Sequence, residues 1–176
     1  PSFLDEVVLV AGVDAGMAPT YGNGQINYGT DNYFNAAHGL TVHNYLYGVL
    51  APGASYSSDM SGASAEIISD ISEGAGFANY TAHCGSSGWS DPSFSTSDIS
   101  GLQNFDEYGV MVGNCCQSNK FDVPVCFGEG LLRADNKGAV GYIGGSNNTY
   151  WNEDFWWAVG NGSISANPTY AGTGLA

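Results

Sequence analysis

Asp14, His83 and the vicinal pair Cys115 and Cys116 carry side chains that can act on one another chemically. A thiolate attacks where a thiol does not, so a cysteine nucleophile requires a neighbour that takes or balances its proton. Imidazole is the common side chain whose ordinary pKa lies near neutrality. A carboxylate such as Asp14 can orient that imidazole. Taken singly, each residue has a plainer explanation: a lone histidine is usually structural, a buried cysteine inert, and an aspartate after a strand a cap. What links them is position, because each follows directly on an apolar run that reads as a strand.

Those runs span residues 7–13, 76–82, 108–113 and 139–143, short, rich in Val, Ile or aromatic residues, and nearly continuous in apolar character, as strands buried on both faces require. Helices are predicted at 31–38, 63–73, 97–103, 126–136 and 153–159. Gly138 lies just past the fourth, with Arg133 and Lys137 in its last turn, a stop signal, and Thr96 or Ser97 would cap the third. Segments 15–30 and 52–62, rich in Gly, Ser, Asn and Tyr, read as ordered surface loops. The alternation predicts an α/β fold with a mostly parallel sheet covered by helices on both faces. In such sheets ligands gather at the carboxyl ends of the strands. Asp14, His83, the cysteine pair and the loop leading to Trp151 and Asp154 all fall there.

The chain has 176 residues, 43% of them hydrophobic, enough to bury a core as one domain, 1–176. Three basic residues, Lys120, Arg133 and Lys137, stand against 17 acidic ones, and the net charge of −14 disfavours nucleic acid and anionic membranes as partners. Such a field either favours cationic substrates or is simply the soluble surface of an extracellular protein rich in Ser, Asn and Gly. No apolar run reaches the roughly 18 residues a membrane span needs. Four cysteines, Cys84, Cys115, Cys116 and Cys126, are too few and too unevenly spaced for a disulfide scaffold, and no CxxC pair is present to hold zinc. Reactivity or burial is then the expected reason for the pair. Pro1 in place of an initiator methionine, and a polar, Gly-rich tail over 161–176, read as a processed fragment or one chain of a nicked domain, whose sheet is completed from outside.

The run Phe77-Ala78-Asn79-Tyr80-Thr81-Ala82-His83 with Trp89-Ser90-Asp91-Pro92 resembles the catalytic histidine segment of the gingipain family. Gly113-Asn114-Cys115-Cys116, Phe121-Asp122 and Cys126-Phe127-Gly128-Glu129 resemble its nucleophile segment, in the lysine-specific form. Gly141-Tyr142-Ile143-Gly144 through Tyr150-Trp151-Asn152-Glu153-Asp154 is a third match. The resemblance is dense over 77–160 and weaker back to Val7–Asp14. It implies a caspase-like three-layer α/β/α sandwich and a cysteine endopeptidase, bacterial and secreted or on the cell surface. Cys116 would be the nucleophile, His83 the acid/base, Asp14 its support and Cys115 a buried neighbour. Backbone N–H groups of Cys84 and Cys116 would hold the oxyanion. Asp154 would meet a substrate lysine, with Thr81 lining the pocket and Trp151 covering the methylene stem. No cofactor is implied for catalysis. Structural calcium is, although no loop here shows defined ligand spacing. Implied partners are protein or peptide substrates with basic residues, and other chains of the same precursor. Arginine or relaxed specificity, and a non-catalytic binding module, are the competing expectations. Two departures stand out: Cys84 occupies the position that the family fills with glycine, and the Cys116–Cys126 segment is one residue shorter.

Overall fold

The computed structural model describes residues 2–48, 60 and 62–172. Among these residues eight strands form: β1 (Glu6–Ala11), β2 (Thr41–Tyr45), β3 (Phe77–Thr81), β4 (Cys84–Gly85), β5 (Gly88–Trp89), β6 (Phe94–Ser95), β7 (Val110–Asn114) and β8 (Gly141–Gly144). Five of them make one sheet in the order β2-β1-β3-β7-β8, with all neighbours parallel. The helices are α1 (Asn23–Asn32), α2 (Ala63–Ser72), α3 (Phe127–Arg133) and α4 (Trp151–Val159).

Strand β1 shows why the sheet has three layers. Its side chains alternate between faces, yet all from Val7 to Ala11 are buried. Val8 and Val10 pack in one cluster with Ile67 and Ile71 of α2 and Phe127 and Leu131 of α3. Val7, Leu9 and Ala11 pack on the other side with Ile26 of α1. Helix α4 closes that second face, where Phe155 and Val159 join Tyr28. In α2 the apolar positions Ala63, Ile67 and Ile71 recur every fourth residue and form the buried stripe. The expected α/β/α sandwich is therefore present.

The four expected strands form, each trimmed or shifted by up to two residues, and β2 adds a fifth. Helix 63–73 forms almost as expected, whereas 97–103 contracts to a single 3-10 turn at Asp98–Gly101 and 126–136 ends at Arg133. The 31–38 expectation is corrected. The helix lies earlier, at Asn23–Asn32, mostly within the segment 15–30 read as a loop, and only a 3-10 turn at Ala36–His38 follows. Two glycines and three asparagines give that segment poor helix propensity. Burial of Ile26 and Tyr28, not propensity, holds it. The expected loop 52–62 lies outside the described residues apart from Met60 and Gly62.

Candidate active site

The C-terminal ends of β1, β3 and β7 lie side by side because register pairs Ala11 with Thr81, and Thr81 with Asn114. The chain leaving β1 passes close to its neighbour: a Cβ on Gly12 would sit 2.6 Å from the Tyr80 hydroxyl and 2.7 Å from the Asp91 carbonyl. Only glycine fits that passage. Asp14 follows, and its Oδ1 accepts from the Gly16 and Met17 amides, each at 2.9 Å. Its Oδ2 lies 2.8 Å from Nε2 of His83. Burial pushes the Asp14 carboxyl up, but the His83 bond and the two amides outweigh it, so its pKa is lowered. Asp14 is thus an anion fixed in place against one edge of the imidazole, which leaves Nδ1 for chemistry.

Tyr80, which sequence reasoning quoted but gave no role, holds the histidine loop. It is fully buried and stacked on Trp89 with ring centroids 4.8 Å apart. Its hydroxyl donates between the carbonyls of His83, at 3.0 Å, and Asp91, at 3.1 Å. Burial pushes its phenol well up, so it remains a donor.

The expectation that the cysteines are explained by reactivity or burial alone is corrected. Cys84 and Cys115 form a disulfide, with Cα atoms 5.3 Å apart across 31 residues of sequence. Even spacing along the chain was the wrong criterion, since the pairing of β3 with β7 brings the two together. The bond ties the residue after His83 to the residue before Cys116. Cys116 and Cys126 are free thiols, Cys126 buried and Cys116 partly exposed.

Cys84 lies opposite Trp89 in the hairpin of β4 and β5, and the Ser90 amide donates to the His83 carbonyl next to it. Cys84 therefore occupies a non-hydrogen-bonded position, with its N–H directed away from β5. Among the described residues the Cys116 amide has no hydrogen-bond partner either. Two unclaimed N–H donors thus sit at the two ends of the disulfide-bridged segment.

A cleft of about 380 Å³ contains His83, Cys84, Cys116, Thr149, Trp151 and Asp154 on its walls. No direct hydrogen bond joins His83 to Cys116. The sulfur instead accepts from the Thr149 amide at 3.4 Å. An open arrangement of this kind is common before substrate arrives. Trp151, the first residue of α4, sets its ring edge-to-face on His83 at 5.6 Å. Asp154, three residues on, shares its helix face. It is buried, and its Oδ2 accepts from the Thr149 hydroxyl at 2.8 Å. Desolvation pushes its carboxyl up, the Thr149 bond pulls it down and the Glu153 charge adds to the rise, for a raised pKa overall. None of the ion pairs among the described residues involves it: Arg133 pairs with Glu129, and Lys137 donates to the Ser100 carbonyl. Thr81 is placed differently. It is fully buried at the end of β3, its hydroxyl has no partner among the described residues, and it does not line the cleft.

A larger cavity of about 420 Å³ shares Asp154, Thr149 and Tyr150 with this cleft but is lined by neither His83 nor Cys116. Among the described residues no group of three or more His, Cys, Asp or Glu is placed to hold a metal ion. No helix among them is long and apolar enough to cross a membrane.

Residues 2–170 match peptidase family C25. The chain is 40% identical to Lys-gingipain of Porphyromonas gingivalis over 99% of its own length and 10% of that protein's. Lys-gingipain W83 of the same species is 41% identical, over 99% of this chain and 9% of its own length. A solved protease structure superposes with a TM-score of 0.87 at 40% identity, covering 99% of this chain and 36% of that one. The Arg-specific cysteine proteinase gingipain R shares the fold, with a TM-score of 0.66 at 21% identity over 88% of this chain and 34% of its own. The chain therefore spans about a tenth of the length of these curated relatives.

Proposed function

Because the chain belongs to peptidase family C25, we propose that it carries the catalytic residues of a cysteine endopeptidase that cleaves after lysine. One observation carries the specificity: Asp154 is a buried carboxylate without a cationic partner among the described residues, in the same cleft as a free thiol and an Asp-supported histidine. An ammonium on an apolar stem fits that arrangement, with Asp154 for the charge and Trp151 beside the methylenes. The name Lys-gingipain carried by the relatives agrees with it.

In the proposed reaction the Cys116 proton passes to His83 and the thiolate attacks the carbonyl carbon of the lysine residue. The C=O electron pair moves onto oxygen, where the N–H groups of Cys84 and Cys116 receive the oxyanion. Collapse breaks the C–N bond, and His83 returns the proton to the departing amine. Water then attacks the thioester with His83 as base, releasing the acid and the thiol. Asp14 keeps the imidazole oriented and balances its charge in both halves. Thr81, fully buried behind the strand end, would act by supporting the site rather than by touching substrate.

A disulfide between Cys84 and Cys115 persists in an oxidising compartment, which supports a secreted or cell-surface protein. The solved protease chain is nearly three times as long as the part matched here, which supports further polypeptide from the same precursor completing the unit. Fluorogenic peptides ending in Lys or Arg test the reading. Turnover with Lys preferred is expected. Preference for Arg overturns the role of Asp154, and no turnover by the complete protein favours a binding module.

A further inference from the structure

Thr149 stands between the two groups that the proposed reaction needs, and neither motif nor resemblance singled it out. Its amide donates to Cys116 Sγ at 3.4 Å, and its carbonyl oxygen lies 3.6 Å from the same sulfur. Its hydroxyl lies 3.9 Å from Sγ and donates to Asp154 Oδ2 at 2.8 Å. The backbone of one residue therefore serves the sulfur in both protonation states: the thiol donates to the carbonyl, and the thiolate accepts from the amide. The same hydroxyl that holds Asp154 leaves Oδ1 free for an incoming cation.

The loop is held where it can do this. The Gln117 amide donates to the Asn147 carbonyl at 3.0 Å, the Gln117 side chain to Asn148 Oδ1 at 2.7 Å, and the Asn119 amide to the Gly145 carbonyl at 2.9 Å. Those bonds lock the chain before α4 onto the turn that carries Cys116. Thr149 is then two residues from Trp151, where α4 begins, and five from Asp154.

We propose that Thr149 is a positioning residue that couples the nucleophile to the specificity carboxylate, holding Cys116 Sγ through its backbone and Asp154 Oδ2 through its hydroxyl. The proposal rests on reading Cys116 as nucleophile and Asp154 as the counter-charge for lysine. Its chemical consequence is that the hydroxyl favours the charged form of Asp154 and offsets part of the burial that opposes that charge. A valine keeps the shape and the backbone contacts with sulfur but removes that donor.

The test compares kcat and KM for peptide amides ending in Lys or in its neutral isostere norleucine, using wild type, T149V, T149S, D154N and T149V/D154N. The Lys-over-norleucine ratio of kcat/KM is expected to fall about tenfold in T149V, the size of one charge-assisted hydrogen bond. The loss should appear in KM rather than kcat, with the acidic limb of the Lys profile moved to higher pH. T149S should keep the ratio, and T149V should add nothing to D154N. If wild type discriminates and D154N does not, yet T149V discriminates fully or T149S loses the ratio, the coupling is overturned alone. If T149V does not fold, T149A takes its place, with the same fall in the ratio expected and a full ratio overturning the coupling. If wild type does not discriminate, or D154N discriminates as wild type does, the specificity reading fails and the coupling falls with it.

Discussion

Asp154 is held against its own burial by one hydroxyl, in a cleft with no basic side chain paired to it among the described residues. D154N should therefore cost roughly 2–5 kcal/mol in kcat/KM for a Lys substrate, the range for removing one partner of a desolvated charge pair, and far less for norleucine. The pH dependence has a definite sign. Asp154 has a raised pKa, so it takes up a proton at higher pH than an ordinary aspartate, and Lys turnover should fall earlier on acidification than norleucine turnover. Asp14 has a lowered pKa, so its tie to His83 outlasts that loss and is not its cause. Parallel kcat/KM profiles for the two peptides check both points. The positions of Asp14, His83 and Cys116 at strand ends were legible in the sequence because an apolar run announces a strand and the next polar residue its end. Thr149 and Tyr80 were not, since one acts through an amide and a hydroxyl in a loop, and the other through a hydroxyl buried in the core. Cys84, the departure from the family pattern, is explained by its bond to Cys115.

Two elements make predictions of their own. The disulfide joins the start of β4 to the turn after β7 across 31 residues, and C84S/C115S should lose roughly 2–4 kcal/mol of stability, read by denaturant unfolding. His43 on β2 is clamped between Glu6 of β1 at 3.0 Å and Asp70 of α2 at 3.2 Å. The Asp70 bond, aided by Glu6 and against partial burial, raises its pKa from 6.5 to about 9. A folded value above the unfolded one means that the stabilisation is complete below about pH 6.5 and lost as pH rises through about 9. Wild type should lose more Tm than H43Q between pH 6 and pH 10. Equal losses would show that the clamp contributes nothing. Strand β2 escaped sequence reading because Thr41 is exposed and His43 and Asn44 interrupt the apolar pattern of an edge strand. Helix α1 escaped because its glycines and asparagines signal a loop. In both, contacts made only in the folded chain override local preference.

At the scale of the whole molecule, the chain's net charge of −14 surrounds a cleft whose walls carry one carboxylate, Asp154, and no Lys or Arg. Association with cationic peptides should be steered, so kcat/KM for Lys peptides should fall as salt rises while that for norleucine peptides stays nearly flat. The α/β class and the parallel sheet were legible because strands and helices alternate and the strands are apolar on both faces. Which cysteines bond was not, because the sheet register that joins Cys84 to Cys115 is long-range information. Labelling with a lysine chloromethyl ketone, followed by peptide mapping without reduction, tests the central claim most directly. Alkylation confined to Cys116, faster than with the arginine reagent, with the Cys84–Cys115 bond intact and Cys126 unmodified, is the expected result. Alkylation at Cys126 or at Cys84, or no alkylation of the folded protein, would contradict Cys116 as the lysine-directed nucleophile.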